Sequence, residues 1–440
     1  MSSSEVEVIS LPNGLAVVTE ERHHAPVVSF WVGYRVGSRN ELPGHTGVAH
    51  WIEHMLFKPT EQYPGNERDR LIAREGGNTN AFTWTDGTAY YTTMPASKAD
   101  LVYRIEADRM ANSLFAPEVF ETERTVILAE REAYENQPDW RLTEQVTALA
   151  FQAHPYRHEV VGLAQDIRRL TRDDLHGFYR TYYAPNNAVA VAVGSFDRGR
   201  LRERLEELFG SLPPAPEPPQ VLVEEPDPVG ERRVVIEGPG ATAHLEVAYR
   251  APTVGHADFV PTLVLGTVLG GPITLGFGGG GENRSSRLYR ALVETELAVD
   301  VDCNVQGTID PYLLDVPIML RSGRSHAEVE TALDRVIDGI VSDPIPEAEL
   351  AKARKQVMAQ FVFGNERITS RAMMLMLAHT VFTKELLRAF PDRIATVTGE
   401  EVRRVAERIF QKKNRVVGWY VPLETSGRAE DGQRQDDETA

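Results

Sequence analysis

Residues 45–57 read HTGVAHWIEHMLF and place His50, Glu53 and His54 within five residues of one another. On a helix, positions i and i+4 lie about 40° apart around the axis, so both imidazoles can turn toward one ion. Two imidazoles leave zinc one protein ligand short of a catalytic set, in which three side chains bind and a fourth position is kept for water. Glu53 stands beside them, free to act as general base on a metal-activated water, as in the H-x-x-E-H pattern. The competing reading is solvated helix decoration, so a third ligand has to be found independently.

The stretch FETERTVILAEREAYEN supplies a candidate. On a helix, Glu130 shares a stripe with Glu123, Val126, Ile127, Ala133 and Tyr134, whereas Glu132 and Glu135 lie off it and reach water. This places Glu130 in an apolar, core-facing stripe with Glu123 one heptad earlier. Burying a carboxylate without a partner costs on the order of several kcal/mol, so an inward Glu130 calls for a cation. Arginine and zinc both remain open, and the waiting histidine pair favours zinc. His23, His24, His154, His158 and His176 read as surface or loop residues; His154 and His158 are i, i+4, but Pro155 argues against a helix between them.

Alternating elements position these residues. LAVVTEE and PVVSFWVGYR are strand-like and GVAHWIEHMLF is a short helix. NERDRLIAREGG is a helix starting near Asn66 and closed by Gly76 and Gly77. NTNAFTWTDGTAYYTTM reads as a hairpin about Asp86-Gly87. Helices are expected near 97–112, 117–135 and 139–151. Thr171 and Asp174 form a capping box, and NNAVAVAVGSF is a buried strand. The Pro-rich, acidic stretch 213–232 has the composition of an extended linker. Beyond it the pattern restarts with RRVVIEG, AHLEVAYRAP and GHADFVPTLVLGTVLGG. Aligning Gly255-His256 on Gly44-His45 sets Pro261, Val264 and Leu265 opposite His50, Glu53 and His54, which suggests a duplicated domain lacking the polar triplet. The expected division is a catalytic domain at 1–212, the linker at 213–232, a homologous domain without metal at 233–424, and a disordered tail at 425–440.

At 440 residues the chain is long enough for two such domains. Its net charge of −17 argues against a nucleic-acid partner and favours cationic or neutral substrates. The single cysteine, Cys303, excludes an internal disulfide and any Cys-built zinc site, and reads as a small buried hydrophobe. MSSSEVEVISLPNGL has no basic start followed by an apolar run, and the most apolar stretch is broken by Pro272 and glycines. A cytoplasmic protein without a membrane span is therefore expected. The glycine-rich segment 270–281 lacks the G-x-x-x-x-G-K-[ST] phosphate pattern, and its role is open.

HWIEH followed by Glu130 in TVILAERE resembles the pitrilysin/insulinase (M16) family of zinc peptidases. LPNGLAVV, GSRNELPGHTG, GGNTNAFTWTDGTAYY, HPYRHEVVG, YYAPNNAVAVAVGSFD and SSRLYRAL accompany it in the family's order. The resemblance points to the bacterial processing-peptidase-like branch. It implies an α+β fold of two homologous domains, each a mainly antiparallel sheet with helices packed on one face, as in processing-peptidase/LuxS-like metallohydrolases. It also implies a zinc metalloendopeptidase, with His50, His54 and Glu130 as zinc ligands, Glu53 as general base and Glu123 supporting the site. Asn80, Ala81 and Phe82 match the edge strand on which a peptide lies as an added β-strand.

The resemblance fails at one place. Relatives that act alone carry an Arg and a Tyr after SRLF that grip the substrate carbonyl; here Val293 and Val299 stand at those positions. Aliphatic residues donate no hydrogen bond to an oxyanion. This implies a metal-bearing subunit in a heterodimer whose homologous partner supplies the Arg/Tyr pair, with a homodimer as the alternative. The alternative from another class is a non-catalytic structural or assembly subunit that keeps the fold.

Overall fold

The computed structural model describes residues 5–275 and 284–423. The first half runs β1 (Val6–Ser10), β2 (Ala16–Glu21), β3 (Val27–Tyr34), α1 (Val48–Met55), α2 (Glu67–Arg74), β4 (Asn78–Thr83), β5 (Thr88–Pro95), α3 (Ala99–Asn112), α4 (Pro117–Glu135), α5 (Pro138–Ala150), α6 (Ala164–Arg169), α7 (Arg172–Tyr182), β6 (Ala188–Gly194) and α8 (Arg198–Phe209). The second runs β7 (Arg232–Pro239), β8 (His244–Arg250), α9 (Phe259–Leu269), β9 (Ala298–Val301), β10 (Asn304–Val305), β11 (Leu313–Leu320), α10 (His326–Ser342), α11 (Glu347–Gly364), α12 (Ile368–Thr380), α13 (Lys384–Thr396), α14 (Gly399–Ile409) and β12 (Arg415–Leu423).

The strands form two sheets of the expected mixed, mainly antiparallel kind. In one the order is β1-β2-β6-β3-β5-β4; in the other it is β10-β11-β8-β12-β7, with β9 pairing β11. Read as β2-β6-β3-β5-β4 and β7-β12-β8-β11-β10, the two orders are the same. The one parallel pairing in each, β2 with β6 and β7 with β12, falls at the equivalent place. The chain is thus a structural duplication. α9 follows β8 as α1 follows β3, and its Pro261, Val264 and Leu265 are all buried.

Helices cover more than one face of each sheet, because each half lends a helix to the other. Val28, Phe30 and Val32 of β3 face the helices of their own half, where they join Trp51, Val102 and Leu205 in one core. The opposite face of that sheet, with Trp31, Val189 and Val191, is covered by α12 from the second half through Ala372 and Met376. Conversely, Leu142 and Val146 of α5 cover Ala248 and Val416 of the second sheet. A glycine marks each crossing. A Cβ on Gly33 would lie 2.5 Å from Met376 Cγ, and one on Gly418 would lie 2.5 Å from Val146 Cγ2. The missing side chain lets each crossing helix approach its sheet.

Ion pairs tie the same seam. Arg371 meets Glu20 at 2.6 Å, and Arg39 meets Asp310 at 2.6 Å. Asp86, in the β4–β5 turn, accepts from the Tyr156 hydroxyl at 2.6 Å and from the Ile309 N–H at 2.8 Å. The segment between α8 and β7 carries no regular element but is anchored. Glu225 accepts the N–H groups of Gln152, Ala153 and His154 at 2.7–2.9 Å, and Ala215 pairs with Asn186. The expected tail 425–440 lies outside the described residues, as do residues 276–283, which include the second half of the glycine-rich segment 270–281. Among the described residues no helix is long and apolar enough to cross a membrane.

Candidate metal centre

α1 is short but strongly sided. Val48, Ala49, Trp51, Ile52 and Met55 are buried, which leaves His50, Glu53 and His54 along the other flank. α4 opens with Pro117 at its first position, where the missing N–H costs nothing. The two helices are locked by Trp51 stacked on Phe120 at 4.6 Å, with the Arg124 guanidinium 5.0 Å over the indole.

That packing brings His50, His54 and Glu130 together, each offering a ligand atom with all three within 4.8 Å of one another. Glu130 Oε2 lies 3.8 Å from His50 Nε2 and 3.5 Å from His54 Nε2. Tetrahedral ligands on zinc stand about 3.3 Å apart, so small side-chain rotations close the set. The neighbours orient it. Glu123, held by Lys58 at 2.5 Å, accepts the Nδ1–H of His54 at 2.9 Å and leaves Nε2 as the ligand atom. The Tyr134 hydroxyl donates to Glu130 Oε1 at 3.2 Å, which leaves Oε2 toward the histidines. His50 Nδ1 is buried without a partner among the described residues. Two imidazoles and one carboxylate facing one point, with Glu123 behind His54 and Glu53 alongside, form a donor set suited to a divalent cation.

Glu53 does not join the ligand group. It accepts from the Thr83 hydroxyl of β4 at 2.7 Å. Burial raises its pKa, with the Thr83 hydrogen bond acting the other way. Burial, and then the charge of His54, hold His50 down to about 3, so its ring is neutral as ligation requires. For His54 burial acts downward, but Glu123, Glu130 and Glu53 together raise it.

The stripe drawn on α4 is partly wrong. Glu123, Ile127 and Arg131 are buried, but Val126 and Ala133 face solvent and Glu130 is half-buried at the stripe's edge. Glu130 faces the imidazoles of α1 rather than a core. His154 and His158 do lie in a loop, one of the two settings expected for them, but not at its surface. His154 is buried and meets Asp310 at 3.0 Å, and His158 Nδ1 stands 3.8 Å from Glu41. Asn80, Ala81 and Phe82 lie on β4, an edge strand, with Asn80 exposed and Phe82 set edge-on to Trp31 at 5.9 Å. Val293 is half-buried and Val299 exposed, and neither offers a donor. Sequence reasoning missed Thr83, Lys58 and Tyr134; of these only Tyr134, four residues from Glu130, carries a spacing signal.

Comparison with known proteins identifies the family. Residues 16–162 match the family described as Insulinase (Peptidase family M16), and residues 169–357 match the Peptidase M16 inactive domain. An uncharacterized zinc protease of Mycobacterium bovis is 30% identical over 419 residues, covering 92% of this chain and 90% of that protein. A probable mitochondrial-processing peptidase subunit beta of Arabidopsis thaliana is 27% identical, covering 96% and 80%. The crystal structure of a protease from Helicobacter pylori superposes with a TM-score of 0.90 at 25% identity, covering 95% of this chain and all of that one.

Proposed function

This chain belongs to the insulinase (M16) peptidase family, and from that premise we propose that it is a zinc metalloendopeptidase acting on peptides or unfolded segments. The observation that carries the reading is the convergence of His50, His54 and Glu130, whose ligand atoms lie within 4.8 Å of one another, with both Nε2 atoms turned toward Glu130 Oε2. Zinc held by these three supplies Lewis acidity toward a water and the scissile carbonyl. Glu53 takes the proton from the attacking water and delivers it to the leaving nitrogen. Its carboxylate is aimed by Thr83, at the end of the strand whose free edge, Asn80 to Phe82, pairs with the peptide backbone. Glu123 acts through His54, by fixing which ring nitrogen faces the ion.

The reading includes a partner. With Val293 and Val299 at the Arg/Tyr positions, the chain lacks donors worth about 3 kcal/mol each to the oxyanion. A second, homologous subunit supplies them, and residues 1–212 and 233–424 act as the catalytic and the metal-free domain. The similarity to a processing-peptidase subunit beta supports this arrangement. The test is zinc content and quenched-peptide cleavage by wild type and Glu53→Gln, each alone and mixed with a homologous subunit lacking the histidine triplet. Zinc retained, cleavage abolished in Glu53→Gln and turnover raised by the mixture support the reading. Equal turnover by the chain alone points to a homodimer with other donors, and zinc without turnover in any mixture points to a structural subunit.

A further inference from the structure

α1 has only eight residues, too few for a helix to hold itself in water, so its place depends on what grips it. Its N-cap is Gly47, in the left-handed region at φ 87°, which has no side chain to satisfy the first-turn N–H groups. The grip comes from outside the helix. Glu41 Oε2 accepts the N–H of Gly47 at 2.8 Å and Oε1 accepts that of Ala49 at 2.9 Å, so both oxygens are spent on the first turn. The Glu41 side chain is fully buried. Burial pushes its carboxyl up to about 8, against the pull of the two N–H donors.

The loop between Glu41 and α1 is fixed as well. Thr46 Oγ1 donates to Asp166 at 2.7 Å and accepts from the Leu163 N–H at 2.8 Å. Gly162 packs so closely that a Cβ there would lie 2.4 Å from Gly47 N. The segment HPYRHEVVG, otherwise unassigned, thus clamps this loop, with His158 on Glu41 and Gly162 on Gly47.

The two ligands on α1 are not equally secured. His54 is held through its own ring by Glu123. His50 follows directly after Ala49, and its Nδ1 has no partner among the described residues. Its position is set by the backbone of the first turn, and that turn is set by Glu41. We propose that Glu41 is a positioning residue for the metal centre: its two backbone hydrogen bonds fix where His50 Nε2 stands relative to His54 and Glu130. This rests on the zinc reading above.

The test is the zinc dissociation constant of the full chain, by chelator competition at a temperature where circular dichroism shows every variant folded. It is joined by the visible spectrum of the cobalt-substituted protein. Val357→Ala, in the buried core of the second half, serves as a control for general destabilisation. Glu41→Gln is expected to raise the zinc Kd at least tenfold and to alter the cobalt bands, whereas Val357→Ala leaves both unchanged. A Kd for Glu41→Gln within twofold of wild type, or no higher than the control's, overturns the proposal. If Glu41→Gln does not fold, Glu41→Asp, one methylene too short to reach both N–H groups, is read against the same limits. Wild type that binds no zinc contradicts the zinc reading itself, not this inference alone.

Discussion

Glu123 holds His54 by its Nδ1–H at 2.9 Å while Lys58 holds the other carboxylate oxygen, so a buried acid decides which imidazole nitrogen faces the metal centre. Glu123→Gln keeps the shape but can present its amide N–H to Nδ1 and favour the wrong tautomer. Zinc affinity, measured by chelator competition, should fall about 10–100-fold with the fold intact. Lys58→Ala, which touches only the outer oxygen, should cost less.

Thr83 gives the proposed general base its direction. Thr83→Val removes the 2.7 Å hydrogen bond to Glu53 without touching a ligand. The expected outcome is kcat lowered by about tenfold, the cost of one such bond at about 1.4 kcal/mol, with zinc content unchanged. Glu53→Gln should lower kcat by about 100-fold or more, also with zinc retained. Steady-state kinetics and metal analysis on the same preparations check both.

The seam between the halves carries a pH dependence through Asp86. Burial raises its pKa from 3.8 to about 6, although Tyr156, Ile309 and Arg39 pull it down. The folded chain therefore binds more protons at Asp86 than the unfolded chain between these values. Its contribution to stability is largest near pH 4 and falls as pH rises toward 6, by up to about 3 kcal/mol. The stability difference between wild type and Asp86→Asn should shrink over that window in denaturant titrations. A difference independent of pH would contradict this.

The crossing helices make the halves interdependent. Without α12, residues 1–212 expose the face bearing Trp31, Val189 and Val191. Expressed alone, they should aggregate or lack a cooperative melting transition. A sharp transition at the temperature of the full chain would show that α12 is dispensable.

Much of this was legible in the residues themselves. The i, i+4 spacing of His50 and His54 survives any tertiary context, and the hairpin about Asp86-Gly87 and the capping box at Thr171 follow local rules. The stripe logic on α4 reached Glu130 although Val126 and Ala133 face solvent, because a partly covered helix has an edge that periodicity alone does not distinguish from a core. His154 and His158 fall in a loop as expected, but their burial was not legible because their partners, Asp310 and Glu41, are distant in sequence. Glu41 and Thr83 carried no signal for the same reason. The exchange of α5 and α12 was equally hidden: their apolar faces show what they bury, not which sheet they cover.

Zinc K-edge X-ray absorption on the purified chain tests the central claim most directly. The account predicts a first shell of two imidazole nitrogens and light oxygen donors at about 2.0–2.2 Å, lost when His50 and His54 are both replaced by alanine. A sulfur-containing shell, or a spectrum unchanged by the double replacement, would contradict it.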